Sequence, residues 1–128
     1  MAKILIVDDE EHIVALMRFI LEKSGHNVSS AGNGQEALRV LGVDPSDEAL
    51  VLPDLMILDV MMPIMDGYTA ALAIRNCPRT AALPIVVVTA KGDMRHLFEA
   101  IPSVAVFFEK PFDPKDLRAV IAKVTAGK

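Results

Sequence analysis

The sequence predicts an α/β protein: a doubly wound, five-stranded parallel sheet with five helices. Three observations predict it. Short apolar runs alternate with segments of helical period along all 128 residues. Several of the runs are continuously apolar, as expected of strands covered on both faces. Each pair of runs is separated by enough chain for the helix that a parallel crossover needs, and such crossovers are right-handed.

Lys3-Ile4-Leu5-Ile6-Val7 is the first such run. Ile13, Leu16, Met17, Ile20 and Leu21 then recur at helical spacing, and Gly25 stops that helix. Asn27–Ala31 is a weaker strand, and Asn33 with Glu36 forms a capping-box start for a short helix ended by Gly42. Residues 43–53, with Pro45 and Pro53, read as a loop. Leu55–Leu58 is a central strand, a helix runs from Gly67 to Arg75, and Leu83–Val88 is the clearest strand. Met94, Leu97, Phe98 and Ile101 predict a helix stopped at Pro102. Val104–Phe108 is the last strand, and Asp113-Pro114 opens a final helix striped by Leu117, Val120, Ile121 and Val124. Residues 1–128 read as one domain without internal repeat.

Composition narrows the function classes. Hydrophobic residues make up 52% and charged residues 23%, which excludes disorder. A domain of this size removes roughly two-thirds of its unfolded surface from water, so it needs no disulfide or structural metal. The formal charge of −4 argues against direct nucleic-acid binding. Residues 91–128 carry 7 basic and 5 acidic side chains, against 6 and 12 before them. Cys77 is alone, so no intrachain disulfide and no Cys-based zinc site is expected. No apolar run reaches the roughly 18 residues of a membrane span, and acids at Asp8 and Asp9 come too early for a signal peptide. A cytoplasmic protein without membrane insertion is the expectation.

In an open parallel sheet, ligands bind beyond the carboxyl ends of the strands. There the sequence places Asp8 and Asp9, Asp59, Thr89, and Glu109-Lys110. Clustered carboxylates repel unless a cation sits among them. Oxygen ligands without Cys or His favour Mg²⁺, which keeps water and phosphate oxygens in its shell. A lysine and a threonine can hold the other oxygens of a phosphoryl group, and phosphoryl transfer asks little beyond positioning and neutralisation. Taken singly, Asp8 and Asp9 read as helix caps, Thr89 as a capping residue and Lys110 as a solvated charge. Their joint placement at strand ends favours a site. His12, His26 and His96 show no metal-ligand spacing and read as surface or capping residues. Met56, Met61, Met62 and Met65 read as core and loop packing.

The segments Ile4-Leu5-Ile6-Val7-Asp8-Asp9-Glu10, Leu58-Asp59-Val60-Met61-Met62-Pro63, Met65-Asp66-Gly67, Val88-Thr89-Ala90 and Lys110-Pro111-Phe112 stand in order across nearly the whole chain. In this the sequence resembles the receiver domains of two-component response regulators, of the single-domain, chemotaxis-regulator-like kind. The resemblance implies a flavodoxin-like strand order, 2-1-3-4-5. It implies a phosphorelay switch in which Asp59 takes a phosphoryl group from a phosphohistidine of a histidine kinase or phosphotransfer protein. Asp9, Asp59 and the Met61 carbonyl would bind Mg²⁺ directly, with Asp8 acting through a water. Thr89 and Lys110 would each hold a phosphoryl oxygen, and Phe107 would be the switch aromatic that turns inward as Thr89 moves. The Lys110–Pro111 peptide would be cis. Such a chain is a phosphoacceptor that assists its own phosphorylation and dephosphorylation rather than an enzyme.

The output face would be helix four, strand five and helix five, contributed by the basic C-terminal third and so suited to an acidic partner. Ile101-Pro102-Ser103 stands there where the family carries small residues before strand five. Met61 and Lys91 occupy the two places where polar residues orient water in fast-hydrolysing members, so slow phosphoryl loss is expected. A monomer and a phosphorylation-induced dimer both fit. So do a stand-alone regulator and a piece of a longer protein. Two alternatives are a haloacid-dehalogenase-like phosphatase, which wants an acid where Met61 stands, and a pseudo-receiver that binds partners unphosphorylated. A dinucleotide fold is excluded, because no glycine-rich turn follows the first strand.

Overall fold

The structure, a computed structural model, describes residues 2–90 and 92–126, and of Asp93 the backbone only. Lys91, named above for water orientation, lies outside the described residues, as do Met1, Gly127 and Lys128. Five parallel strands, β1 (Lys3–Val7), β2 (Asn27–Ala31), β3 (Leu55–Leu58), β4 (Ile85–Thr89) and β5 (Val104–Glu109), lie in the order β2-β1-β3-β4-β5. The helices are α1 (Glu11–Lys23), α2 (Gly34–Val40), α3 (Gly67–Arg75), α4 (Arg95–Phe98) and α5 (Pro114–Val124). The expected doubly wound, flavodoxin-like architecture is therefore the observed one.

Strand alternation divides the core into two layers. Leu5, Val7, Met56, Leu58, Ile85, Val87 and Phe107 face α2, α3 and α4. Ile4, Ile6, Leu55, Ile57, Val86 and Val88 face Met17 and Leu21 of α1 and Leu117 and Ile121 of α5. All of β1 after Lys3, and all of β3 and β4, is buried, which is why these strands read as unbroken apolar runs. At the sheet edge β2 is mostly exposed, which explains its weak signal.

The helix starts follow local chemistry. Asn33 accepts the Glu36 amide at 2.8 Å, Asp66 accepts that of Thr69 at 2.7 Å, and Asp113 accepts that of Lys115 at 2.8 Å. Strand β5 runs one residue further than expected, to Glu109, and two other boundaries differ. Strand β4 begins at Ile85, since Pro84 has no N–H and contributes only a carbonyl, to Met56 at 3.0 Å. The helix expected to reach Ile101 is a 3₁₀ turn at Gly92–Met94 followed by a single α-turn ending at Phe98. Ile101 is buried, with its N–H on the Phe98 carbonyl at 3.0 Å, so its apolar spacing records a turn ahead of Pro102. Among the described residues no helix is long and apolar enough to cross a membrane.

Candidate functional site

Backbone pairing runs one residue past the strands and sets the rim of the sheet. Asp8 donates its N–H to Ala31 at 3.1 Å, Asp59 to Val7 at 2.9 Å, and Lys110 to Thr89 at 2.7 Å. With Val7 level with Leu58, Leu58 with Val87, and Thr89 with Glu109, the carboxyl ends of β1, β3, β4 and β5 bring four side chains together.

Lys110 is the centre of the group. Its Nζ donates to Asp8 Oδ2 at 2.9 Å and to Glu10 Oε1 at 2.8 Å, and lies 3.5 Å from Asp59 Oδ2. Only 11% of its side chain is exposed, against 1% for Asp8 and 5% for Asp59. Asp59 Oδ1 accepts the Val60 N–H at 2.8 Å, and its carboxylate also takes a hydrogen bond from buried Thr89. Asp8 Oδ1 accepts the Glu10 N–H at 2.9 Å, a local turn that aims its second oxygen at the lysine.

Burial pushes the Asp59 carboxyl above its ordinary pKa, and the Asp8 charge adds to this against Lys110, Thr89 and Val60. Burial acts to lower Lys110, but hydrogen bonds to Glu10 and Asp8 and the Asp59 charge outweigh it and hold the ammonium well above its usual range. Contact with Lys110 lowers Glu10. Among the described residues, the site thus holds more anion than the Lys110 ammonium neutralises. Oxygens of Asp8, Glu10 and Asp59 lie within 4.8 Å of one another, an all-oxygen set suited to a hard divalent cation.

Gly67 keeps the acceptor loop tight. A Cβ there would stand 2.0 Å from the Asp59 carbonyl oxygen and 3.0 Å from Val60 Cα, so only glycine lets α3 begin against this backbone.

The structure brings together Asp8, Asp59, Thr89 and Lys110 of the residues singled out from sequence. It does not bring Asp9 into the converging carboxylates: that side chain is exposed, beside a cavity of about 280 Å³ shared with Asp8, Ser30 and Glu36. Met61 is 57% exposed. Phe107 is buried on the α4 side of β5, whereas the adjacent Phe108 packs toward α1 and α5. Lys110–Pro111 is cis, and so is Asp44–Pro45. The sequence reading missed Glu10 as a partner of Lys110. Nothing in a run of four acids separates residue 10 from residue 9; the extended backbone at Glu10, φ −89° and ψ 101°, does.

The family model for the response regulator receiver domain matches residues 4–122. The chain belongs to that family. These receivers are the signalling switches of two-component systems, which histidine kinases phosphorylate and which act on downstream targets, and membership decides against the phosphatase alternative. The alkaline phosphatase synthesis transcriptional regulatory protein PhoP of Bacillus subtilis is 34% identical over 126 residues, 95% of this chain and 48% of that protein. The receiver thus spans about half the length of this relative. TrrA of Thermotoga maritima, solved in complex with Mg²⁺ and BeF, has a TM-score of 0.81 at 29% identity, covering 97% of this chain and 98% of that one. The chemotaxis protein CheY4 of Vibrio cholerae has a TM-score of 0.79 at 28% identity, covering 97% and 98%.

Proposed function

We propose that this receiver accepts a phosphoryl group on Asp59 from a phosphohistidine of a histidine kinase or histidine phosphotransfer protein, and that Thr89, Lys110 and Phe107 convert the change into a new outer face at α4, β5 and α5. The observation that carries it is the Lys110 ammonium held at 2.9 Å from Asp8 and 3.5 Å from Asp59 at the rim of the sheet.

Oxygen Oδ1 of Asp59 is held by the Val60 amide, which leaves Oδ2, on the Lys110 side, as the attacking atom. Oδ2 bonds to phosphorus, the phosphorus–nitrogen bond of the phosphohistidine breaks, and the departing imidazole keeps the electron pair and takes a proton. Lys110 then exchanges a carboxylate contact for a phosphoryl oxygen, and the Thr89 hydroxyl, already on Asp59, turns to a second. Asp8, Asp59, the rim acids Asp9 and Glu10 and the Met61 carbonyl are the groups that would hold Mg²⁺. The bound ion neutralises charge shared by carboxylates and phosphoryl oxygens. In this way the chain assists its own phosphorylation and its later hydrolysis.

A phosphoryl group brings about −1.5 to −2 charges. Drawing Thr89 and Lys110 inward biases Phe107 and the strand that carries it, because Lys110 is three residues past Phe107. We place the protein in the cytoplasm, where such kinases present their phosphohistidines. Incubation with acetyl phosphate and Mg²⁺ followed by intact mass measurement tests the reading. One added phosphoryl group, absent in Asp59→Asn, is expected; no adduct on the wild type would mark a pseudo-receiver.

A further inference from the structure

Arg95 opens α4 and lies at the protein surface, yet its guanidinium folds back over β5. Its Cζ stands 4.7 Å from the centroid of the Phe107 ring, and its Nη2 donates to the Phe107 carbonyl at 3.2 Å. Beneath it, Phe107 packs on Phe98 with centroids 5.9 Å apart, and Phe98 meets Tyr68 edge-on at 5.4 Å. Three rings therefore link α3, α4 and β5, and Arg95 closes the row from outside. It does so at a cavity of about 310 Å³ that Phe98, Glu99 and Phe107 also line.

A planar guanidinium can cover a ring while donating in its own plane, which an ammonium cannot do as well. Both contacts end on one residue, so both exist only while the first turn of α4 sits against β5 with the ring inside. Phe98 anchors the end of this turn in the core, and Arg95 ties its start to β5. The turn is four residues long, follows a 3₁₀ turn and has no side-chain cap at Met94. Segments with so few bonds lie at the low-stability end of a fold.

We propose that Arg95 is a positioning residue for Phe107: it ties the place of α4 to the burial of the ring, so that helix and ring exchange between two arrangements as one unit. The proposal rests on the reading of Asp59 as phosphoacceptor for its ligand arm only. Phe107 pairs with Val87 and shares β5 with the approach to Lys110, so a ligand that engages Thr89 and Lys110 is linked to the same equilibrium. By reciprocity, loosening the ring weakens that ligand.

The test is fluorine NMR of the full chain carrying para-fluorophenylalanine, with the signal of residue 107 assigned through Phe107→Leu. Without ligand, Arg95→Met, which keeps the aliphatic stem, is expected to move the Phe107 signal toward solvent-exposed values. Phe19, far from this face on α1, should be unchanged, and Arg95→Lys should restore the signal in part. In a titration with beryllofluoride and Mg²⁺, Arg95→Met is expected to need about two- to tenfold more beryllofluoride for half-saturation than the wild type. An unmoved Phe107 signal in Arg95→Met overturns the proposal. So does a moved signal with an unchanged half-saturation. If the wild type binds no beryllofluoride, the Asp59 reading fails, while the ligand-free spectra still decide whether Arg95 holds the ring.

Discussion

Lys110 and Asp8 lie 102 residues apart in the chain and 2.9 Å apart in the fold. The pair closes the sheet rim between the first strand and the last. It also places the Lys110 ammonium between two buried acids.

Removing that ammonium takes from Asp8 and Asp59 the counter-charge they share. Lys110→Met is expected to cost roughly 3–5 kcal/mol in urea unfolding, the scale for breaking a buried pair from one side. Added Mg²⁺ should return part of the loss. Equal stability of variant and wild type in chelator would contradict this.

Asp59 is raised above its ordinary pKa by burial first and by Asp8 second. A carboxyl raised in the fold favours the folded state at low pH and loses that advantage as pH rises through its folded value. Asp59→Asn should therefore be more stable than the wild type at about pH 7, by about 0.5–2 kcal/mol, with the gap closing toward about pH 4. A gap that widens on acidification would refute the assignment.

His26 accepts the Ala2 N–H on Nδ1 at 3.1 Å, which needs the neutral ring, and burial lowers its pKa below 6.5. Here the sign is opposite to that of Asp59. The contribution is present above the unfolded value and fades as pH falls through the folded one. Between about pH 7.5 and about pH 5, the wild type should lose stability relative to His26→Gln, whose amide oxygen can still accept. Parallel unfolding midpoints across that window would show that His26 does not titrate against folding.

Much of this was legible in sequence, because the strands that carry the site are also the most buried. Val7, Leu58 and Val88 end apolar runs, so the polar residue after each stands out, and strand ends are where such sheets bind. Spacing to Lys110 favours Phe107 over Phe108 as the switch aromatic, and in the fold the two rings face opposite layers. What stayed hidden depends on backbone direction over one or two residues. Asp9 and Glu10 are chemically alike, and the extended backbone at Glu10 together with the turn made by Asp8 and the Glu10 N–H aims residue 10 at Lys110. Helix α4 is shorter than its apolar spacing predicts, because Ile101 is a buried turn residue that falls at helical spacing.

Met61 stands two residues past Asp59 and is 57% exposed, with a thioether that cannot orient a water for in-line attack. The phosphorylated protein should keep its label for minutes or longer in Mg²⁺, and Met61→Asn should shorten the lifetime several-fold. Loss from the wild type within seconds would contradict this.

The most direct test of the central claim is chemical. The phosphorylated protein is reduced with borohydride, which converts an aspartyl phosphate to homoserine, and its peptides are sequenced by mass spectrometry. Homoserine at residue 59 and at no other acid is the predicted result. Conversion at Asp8, Asp9 or Glu10 instead, with residue 59 unmodified, would contradict it.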